Sequence, residues 1–328
     1  APTFIGNEKA YVGETIDSTF VSSVGGFVDR FESDVEQFTG TSKAVAVTNG
    51  TSALHIALHL SWVVSGDFVI TQALTFVATC NAILQAGGQP IFIDIETNSF
   101  GLCPSAVSLW LDEHAELDSF GDCRILCSGA RIKAIMPMHT FGHPAQIDEL
   151  SDLCLKWNLD LIEDAAESFG SLYKKTHTGS IGRFGVLSFN GNKVITTGGG
   201  GMLLCRDEAD GRLAKHITTT SKVAHPYEFY HDQQGFNYRL PNLNAALGCA
   251  QMENLRTILN RKKELASLYE VFFKESAFRF VKEPDYAQSN YWLNTILCND
   301  RNERDLVLNK TNAAGVMTRP AWQLMTDL

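Results

Sequence analysis

The chain has 328 residues, 45% of them hydrophobic, enough for a large buried core, expected in a major and a minor domain. Its formal net charge of −10, with no Lys/Arg cluster, argues against nucleic acid as a partner. The most apolar stretch, 54–70, is broken by His55, His59, Gly66 and Asp67, and the opening residues have neither a basic nor an apolar targeting region, so no membrane segment and a cytoplasmic location are expected.

In chain order, KAVAVT (43–48) reads as a short apolar strand ending at Asn49-Gly50-Thr51-Ser52, after which SALHIALHL carries apolar residues at helical spacing. FVITQ (68–72) precedes a helical TFVATCNAILQAG, and PIFIDI (90–95) and IKAIMPM (132–138) are continuous apolar strands. IDELSDLCLKW (147–157) is amphipathic, and the strand LDLIE that follows ends at Asp164. GVLSF (185–189) runs into a loop bearing Lys193, and GMLLC (201–205) resumes the sheet after glycines that permit a tight reversal. Beyond Asn237 a long, more charged run of helical period begins, and the large domain is placed at 1–245 with a smaller one at 246–328. The alternation predicts an α/β fold: a mainly parallel sheet of seven strands covered by helices, with its site at the carboxyl ends of the strands.

Asp164 and the turn at Asn49–Ser52 both stand at such ends. A lysine after a buried strand, with an acid ending an earlier one, suits pyridoxal phosphate: the amine forms a Schiff base with the cofactor aldehyde and the carboxylate keeps the pyridine nitrogen protonated. Gly50 and Thr51 offer amides and a hydroxyl to a phosphate at a helix N-terminus, although Ser and Thr cap many helices without binding anything. Ser188 can add a hydroxyl or simply pack at a strand end. Asp164 is expected to be half-buried and to need a cation or hydrogen-bond donors, capping of a following helix being the plainer role. Glu167 can face the same pocket or close a capping box. Phe76 can stack on a ring or belong to the core. Eight cysteines lack paired metal-ligand spacing and read as reduced thiols, so no metal is expected.

The blocks TNGTSALHIAL, TFVATCNAI, IFIDIE, HTFGHPAQIDEL, IEDAAESFGS, SFNGNKVITTGGGGM and FNYRLPNLNAALGCAQ resemble, in order and through essentially the whole chain, the DegT-type sugar aminotransferases. The resemblance implies a vitamin-B6-dependent homodimer of fold type I, with a smaller α+β C-terminal domain. The opening FIGNEKAYVGETIDSTFVSSVGGFVDRFE with NYWL and GVMTRPAW is most similar to the branch that aminates carbon 4 of UDP-linked 4-keto-6-deoxy-N-acetylhexosamines, as in legionaminic acid or bacillosamine pathways. Carried over by position, Lys193 matches the Schiff-base lysine, Asp164 the pyridinium partner, Glu167 the contact to the ring hydroxyl, Gly50, Thr51 and Ser188 the phosphate cradle, and Phe76 the stacking aromatic. Asn237 matches an asparagine that reaches the neighbouring subunit's cofactor phosphate, so each site is expected to need two chains. Asn7 and Glu8 lie where relatives shape the substrate entrance, and Arg319 is a candidate for anionic groups of the substrate.

The chain departs from the broad pattern at Gly199, where many relatives have Glu, and at Asn190, where many have His. Relatives also continue beyond Leu328, so the small domain is expected to be incomplete. The resemblance implies amino transfer from L-glutamate to a nucleotide-linked keto sugar. A sugar 3-dehydratase is the first alternative, disfavoured because such relatives carry His at the position of Lys193. A regulator or sensor on the same fold is the second. Neither G-x-G-x-x-G nor G-x-x-x-x-G-K-[ST] occurs, which leaves nicotinamide and nucleoside-triphosphate chemistry without support.

Overall fold

A computed structural model describes residues 2–328. Seven strands form the central sheet: β1 (Lys43–Val47), β2 (Phe68–Gln72), β3 (Gln89–Ile93), β4 (Ile132–Ile135), β5 (Asp160–Asp164), β6 (Phe184–Ser188) and β7 (Gly201–Cys205). Their order across the sheet is β1-β7-β6-β5-β4-β2-β3, and neighbours from β6 to β3 run parallel. Strand β7 alone runs against both β1 and β6, because the chain reverses through the glycine run, where Gly198 takes φ +82°. Seven mainly parallel strands were expected, and the architecture agrees. The expected strand 132–138 is shorter at its end: Pro137 has no N–H to give a ladder, so regular pairing stops at Ile135 and resumes as one bridge between Met138 and Asp164.

The strands read as unbroken apolar runs because helices cover both faces. Successive residues of β1 show it: Ala44 and Ala46 belong to one core with Met202 and Leu204, while Val45 and Val47 belong to another with Leu203 and Cys205. The first core is closed by α2 (Gly26–Thr39), through Val28, Phe31 and Val35, and by α8 (Asn242–Phe273), through Ala245, Cys249, Leu255 and Ile258. The second is closed by α3 (Gly50–Leu60), which is apolar on nearly every side, and by α7 (Glu208–Thr218). A third core under α5 (Pro104–His114) and α6 (Ile147–Trp157) completes the edge near β3. Helix α6 starts with Asp148 and Glu149, where the helix dipole favours acids, and stops at Asn158, which adopts the left-handed conformation at φ 53°. α1 (Glu8–Asp17) lies on α8, and α4 (Val77–Gln85) lies on α3.

The domain border expected at 245/246 falls inside α8, which is one unbroken helix of 32 residues. Its first half carries small buried residues against α2. Its second half leads to a short antiparallel pair, 279–280 with 296–297, and then to α9 (Arg301–Ala313). The last residues return to the sheet, where Met325 N donates to Ala73 O at 2.9 Å. No helix among the described residues is long and apolar enough to cross a membrane.

Candidate active site

Asp164 is the last residue of β5 and is only 2% exposed. Its Oδ2 accepts from Thr79 Oγ1 at 2.7 Å and its Oδ1 from Ala166 N at 3.2 Å. Burial pushes its pKa up; the bonds from Thr79 and Ala166 and the nearby charge of Lys193 pull the other way. It is more deeply buried than expected, and it caps no helix, since none follows it.

Glu163 precedes it, and strand alternation sends the two carboxylates to opposite faces of β5. Glu163 Oε1 accepts from Ile181 N at 2.8 Å and Gly182 N at 2.6 Å, and Oε2 from Gly179 N at 2.8 Å. His139 Nε2 stands 3.0 Å from the same Oε2, and His139 Nδ1 accepts from Ala145 N at 3.1 Å. A backbone N–H can only donate, so Nδ1 is unprotonated and Nε2 carries the hydrogen given to Glu163. Burial by itself would raise the Glu163 pKa; His139 and the amides of Gly182 and Gly179 outweigh it and hold the group below the ordinary value.

Glu167, also 2% exposed, accepts from Phe141 N at 2.9 Å through Oε2, and its Oε1 lies 3.4 Å from Lys193 Nζ. Burial pushes its pKa up to about 7 against the charge of Lys193. Lys193 sits on the loop after β6, with Nζ 4.1 Å from the ring centroid of Trp292. Amine, acid and aromatic ring thus come from three separate parts of the chain.

The turn into α3 completes the arrangement. Asn49 Oδ1 caps the helix by accepting from Ser52 N at 2.8 Å, which leaves the first amides, Gly50 and Thr51, without an intrahelical acceptor. Gly50 faces Ser188: a Cβ there would lie 3.1 Å from Ser188 Cβ. Phe76, the residue before α4, is 47% exposed and so no core residue; its ring lies 5.9 Å from that of Trp322, which lies 5.2 Å from Phe141.

Four other expected positions stand outside this cluster's hydrogen bonds. Asn237 is exposed on the strip after α7 and accepts from Arg239 Nε at 3.2 Å. Glu8 is buried, with Oε2 held by Gly6 N at 2.8 Å and Oε1 by Gln251 Nε2 at 2.7 Å, and Asn7 Nδ2 donates to Glu253 at 2.8 Å. Arg319 is exposed. Conversely, Thr79, Phe141 and Trp292 belong to the cluster without having been singled out. A polar Thr in the apolar block TFVATC and the Trp of NYWL were the available signals. Among the described residues, no group of three His, Cys, Asp or Glu side chains could hold a metal ion.

The model of one sequence family matches residues 2–327, that of the DegT/DnrJ/EryC1/StrS aminotransferases. The chain belongs to this family. EpsN of Bacillus subtilis (strain 168), named as a pyridoxal phosphate-dependent aminotransferase, is 36% identical over 98% of this chain and 80% of its own length. A GDP-perosamine synthase of Escherichia coli O157:H7 is 34% identical over 98% of this chain and 83% of its own length. The crystal structure of the aminotransferase TlmJ from Streptoalloteichus hindustanus superposes with a TM-score of 0.88 at 25% identity, covering 99% of this chain and 84% of that one. The chain is therefore a pyridoxal phosphate-dependent sugar aminotransferase.

The residues present fit that cofactor. A buried carboxylate whose pKa burial has raised, with only two donors, is matched to a cationic ring nitrogen. The turn at Gly50, which packs closely on Ser188, and the free amides at the start of α3 suit a phosphate.

Proposed function

We propose that this enzyme transfers an amino group from L-glutamate to the C4 keto group of a nucleotide-linked 4-keto-6-deoxy sugar, as a homodimer in the cytoplasm. The observation that carries the reading is the meeting of Lys193 Nζ, the Glu167 carboxylate and the buried Asp164 at the carboxyl ends of β5 and β6. The NYWL and TRPAW segments support a UDP-linked acceptor. The likeness to a GDP-perosamine synthase supports a second reading, with a GDP-linked acceptor.

Pyridoxal phosphate, when bound, supplies an aldehyde that captures amines and a ring that draws electrons from the captured carbon. Asp164 would hold the positive charge of the ring nitrogen, with Thr79 fixing the carboxylate's orientation. Gly50, Thr51 and Ser188 would bind the phosphate and so fix the ring's distance from Lys193. Lys193 would bind the aldehyde and, once displaced, take a proton from the donor's α carbon at Nζ and return it on the cofactor side. The same nitrogen serves the acceptor half-reaction in reverse order. Glu167 would meet the ring hydroxyl, its carboxyl near its own titration point. Asn237 would reach the phosphate of the partner's site, and Asn7, Glu8 and Arg319 are proposed near the sugar nucleotide.

A panel of UDP- and GDP-linked 4-keto-6-deoxy sugars, assayed for 2-oxoglutarate release with product NMR, decides the acceptor. Lys193→Ala is expected to lose turnover and the visible absorbance of the bound cofactor together; turnover at the parent rate in that variant overturns the mechanism.

A further inference from the structure

Trp292 stands 100 residues beyond the loop it touches, and its contacts are specific. Its Nε1 donates to Asn192 O at 2.7 Å, which anchors the indole to the residue before Lys193, and its ring lies 4.1 Å from Lys193 Nζ. The ring is 9% exposed. The backbone behind it is equally fixed. Trp292 N donates to Asn290 Oδ1 at 2.8 Å, and Asn290 Nδ2 donates to Glu167 O at 2.8 Å and Phe169 O at 3.0 Å. Ser289 Oγ donates to Gly142 O at 2.8 Å, and Asn290 N to Ser171 Oγ at 2.9 Å. The segment 289–292 is thus stitched to the stretch carrying Glu167 and, through the indole, to the loop carrying Lys193.

A lysine amine swings on four single bonds and is strongly hydrated, so one that must meet the same carbon repeatedly needs walls. Two are present: the Glu167 carboxylate at 3.4 Å and the indole face at 4.1 Å. An aromatic face attracts a cation without offering it a proton acceptor, so it can retain the amine without competing for its hydrogen as a carboxylate would.

We propose that Trp292 is a positioning residue that confines the free Lys193 amine and aims it at the cofactor. The inference rests on Lys193 being the cofactor lysine, and its test keeps the two claims apart. The first measurement is of the apoprotein alone. The ε-methylene protons of Lys193 should resonate upfield of other lysines, through the ring current of Trp292, in a peak assigned by its loss in Lys193→Arg. The shift should vanish in Trp292→Leu and persist in Trp292→Phe. The second measurement is the rate at which apoprotein captures added pyridoxal phosphate, followed by visible absorbance. Trp292→Leu should capture roughly tenfold more slowly, while Trp292→Phe, which keeps a π face, should stay within about twofold of the parent.

Equal slowing in Leu and Phe would reduce Trp292 to packing, and an unchanged rate in Leu overturns the proposal outright. Should Trp292→Leu not fold, the absence of an upfield Lys193 peak in the parent protein is by itself enough to reject it. Capture by Lys193→Ala with the parent's absorbance band would instead remove the cofactor reading, whatever Trp292 does.

Discussion

Replacing Glu167 by Gln exposes the electrostatic cost of this site. The carboxyl is buried and its pKa moves from an ordinary 4.5 to about 7. Because the folded protein holds this proton more tightly than the unfolded chain, the group favours folding below pH 4.5, and that advantage is lost as pH rises through 7. At about 1.4 kcal/mol per pH unit, the loss across the window is about 3 kcal/mol. An amide cannot ionise, yet its carbonyl can still accept from Phe141 N, so Glu167→Gln keeps the packing and removes the titration. Urea unfolding of both apoproteins between pH 4.5 and 8 should show the variant gaining on the parent by about 3 kcal/mol, nearly all of it by pH 7.5. Buried titrating groups that do not act on Glu167 are common to both proteins and cancel in the difference; Lys193 and Asp164, which do act on it, are checked by repeating the pair of curves in a Lys193→Ala background. Two curves that stay parallel across this range would refute the assignment of a near-neutral pKa to Glu167 and, with it, the dominance of burial over the Lys193 pair.

Asp164→Asn removes the charge opposite the ring nitrogen but retains an acceptor for Thr79; turnover should fall by about 10²–10⁴ with an unchanged circular dichroism spectrum, and a loss under tenfold speaks against the pyridinium role. Gly50→Val places a branched side chain against Ser188, so the dissociation constant for pyridoxal phosphate, read by absorbance titration, should rise at least about tenfold, with overpacking of about 1–3 kcal/mol lowering the melting temperature by only a few degrees. His143 is fully buried, its ring edge-on to Tyr291 at 5.5 Å, and burial lowers its pKa to about 4. Its stabilising effect is complete above pH 6.5 and lost as pH falls toward 4, so His143→Phe should relieve about 3 kcal/mol of acid destabilisation in unfolding experiments over that interval.

All seven strands of the sheet were legible because burial on both faces leaves unbroken apolar runs, and α6 was legible to the residue because its apolar stripe, acidic start and Asn158 stop agree. The direction of β7 was not, since glycines permit a reversal without dictating which strand is met next. Asp164, Glu167 and Lys193 were readable from their places after strands. Thr79 and Trp292 were not: each meets its partner across a long stretch of chain, 85 residues for Thr79 and Asp164, and no local period reports such a meeting. Glu8 was readable only by its place in the opening segment; the bond its carboxylate accepts from Gln251 Nε2 comes from the packing of α1 on α8, which no local pattern reports. For Phe76 the sequence left ring-stacking and core both open; the residue before α4 is exposed, which takes away the core reading.

The neighbouring acids of β5 are chemically near-identical and functionally not interchangeable. Glu163 has four donors and nothing left to offer a ligand, whereas Asp164 has two and a raised pKa. What sorts them is the pleat alone, so losing or gaining one residue within the strand would exchange their destinations. The face that carries Asp164 would then receive the longer acid, and the glycine-rich loop at 179–182 would lose the anion that clasps it. Protein engineers grafting this site onto another scaffold should therefore transplant the phase of the strand before they transplant its residues.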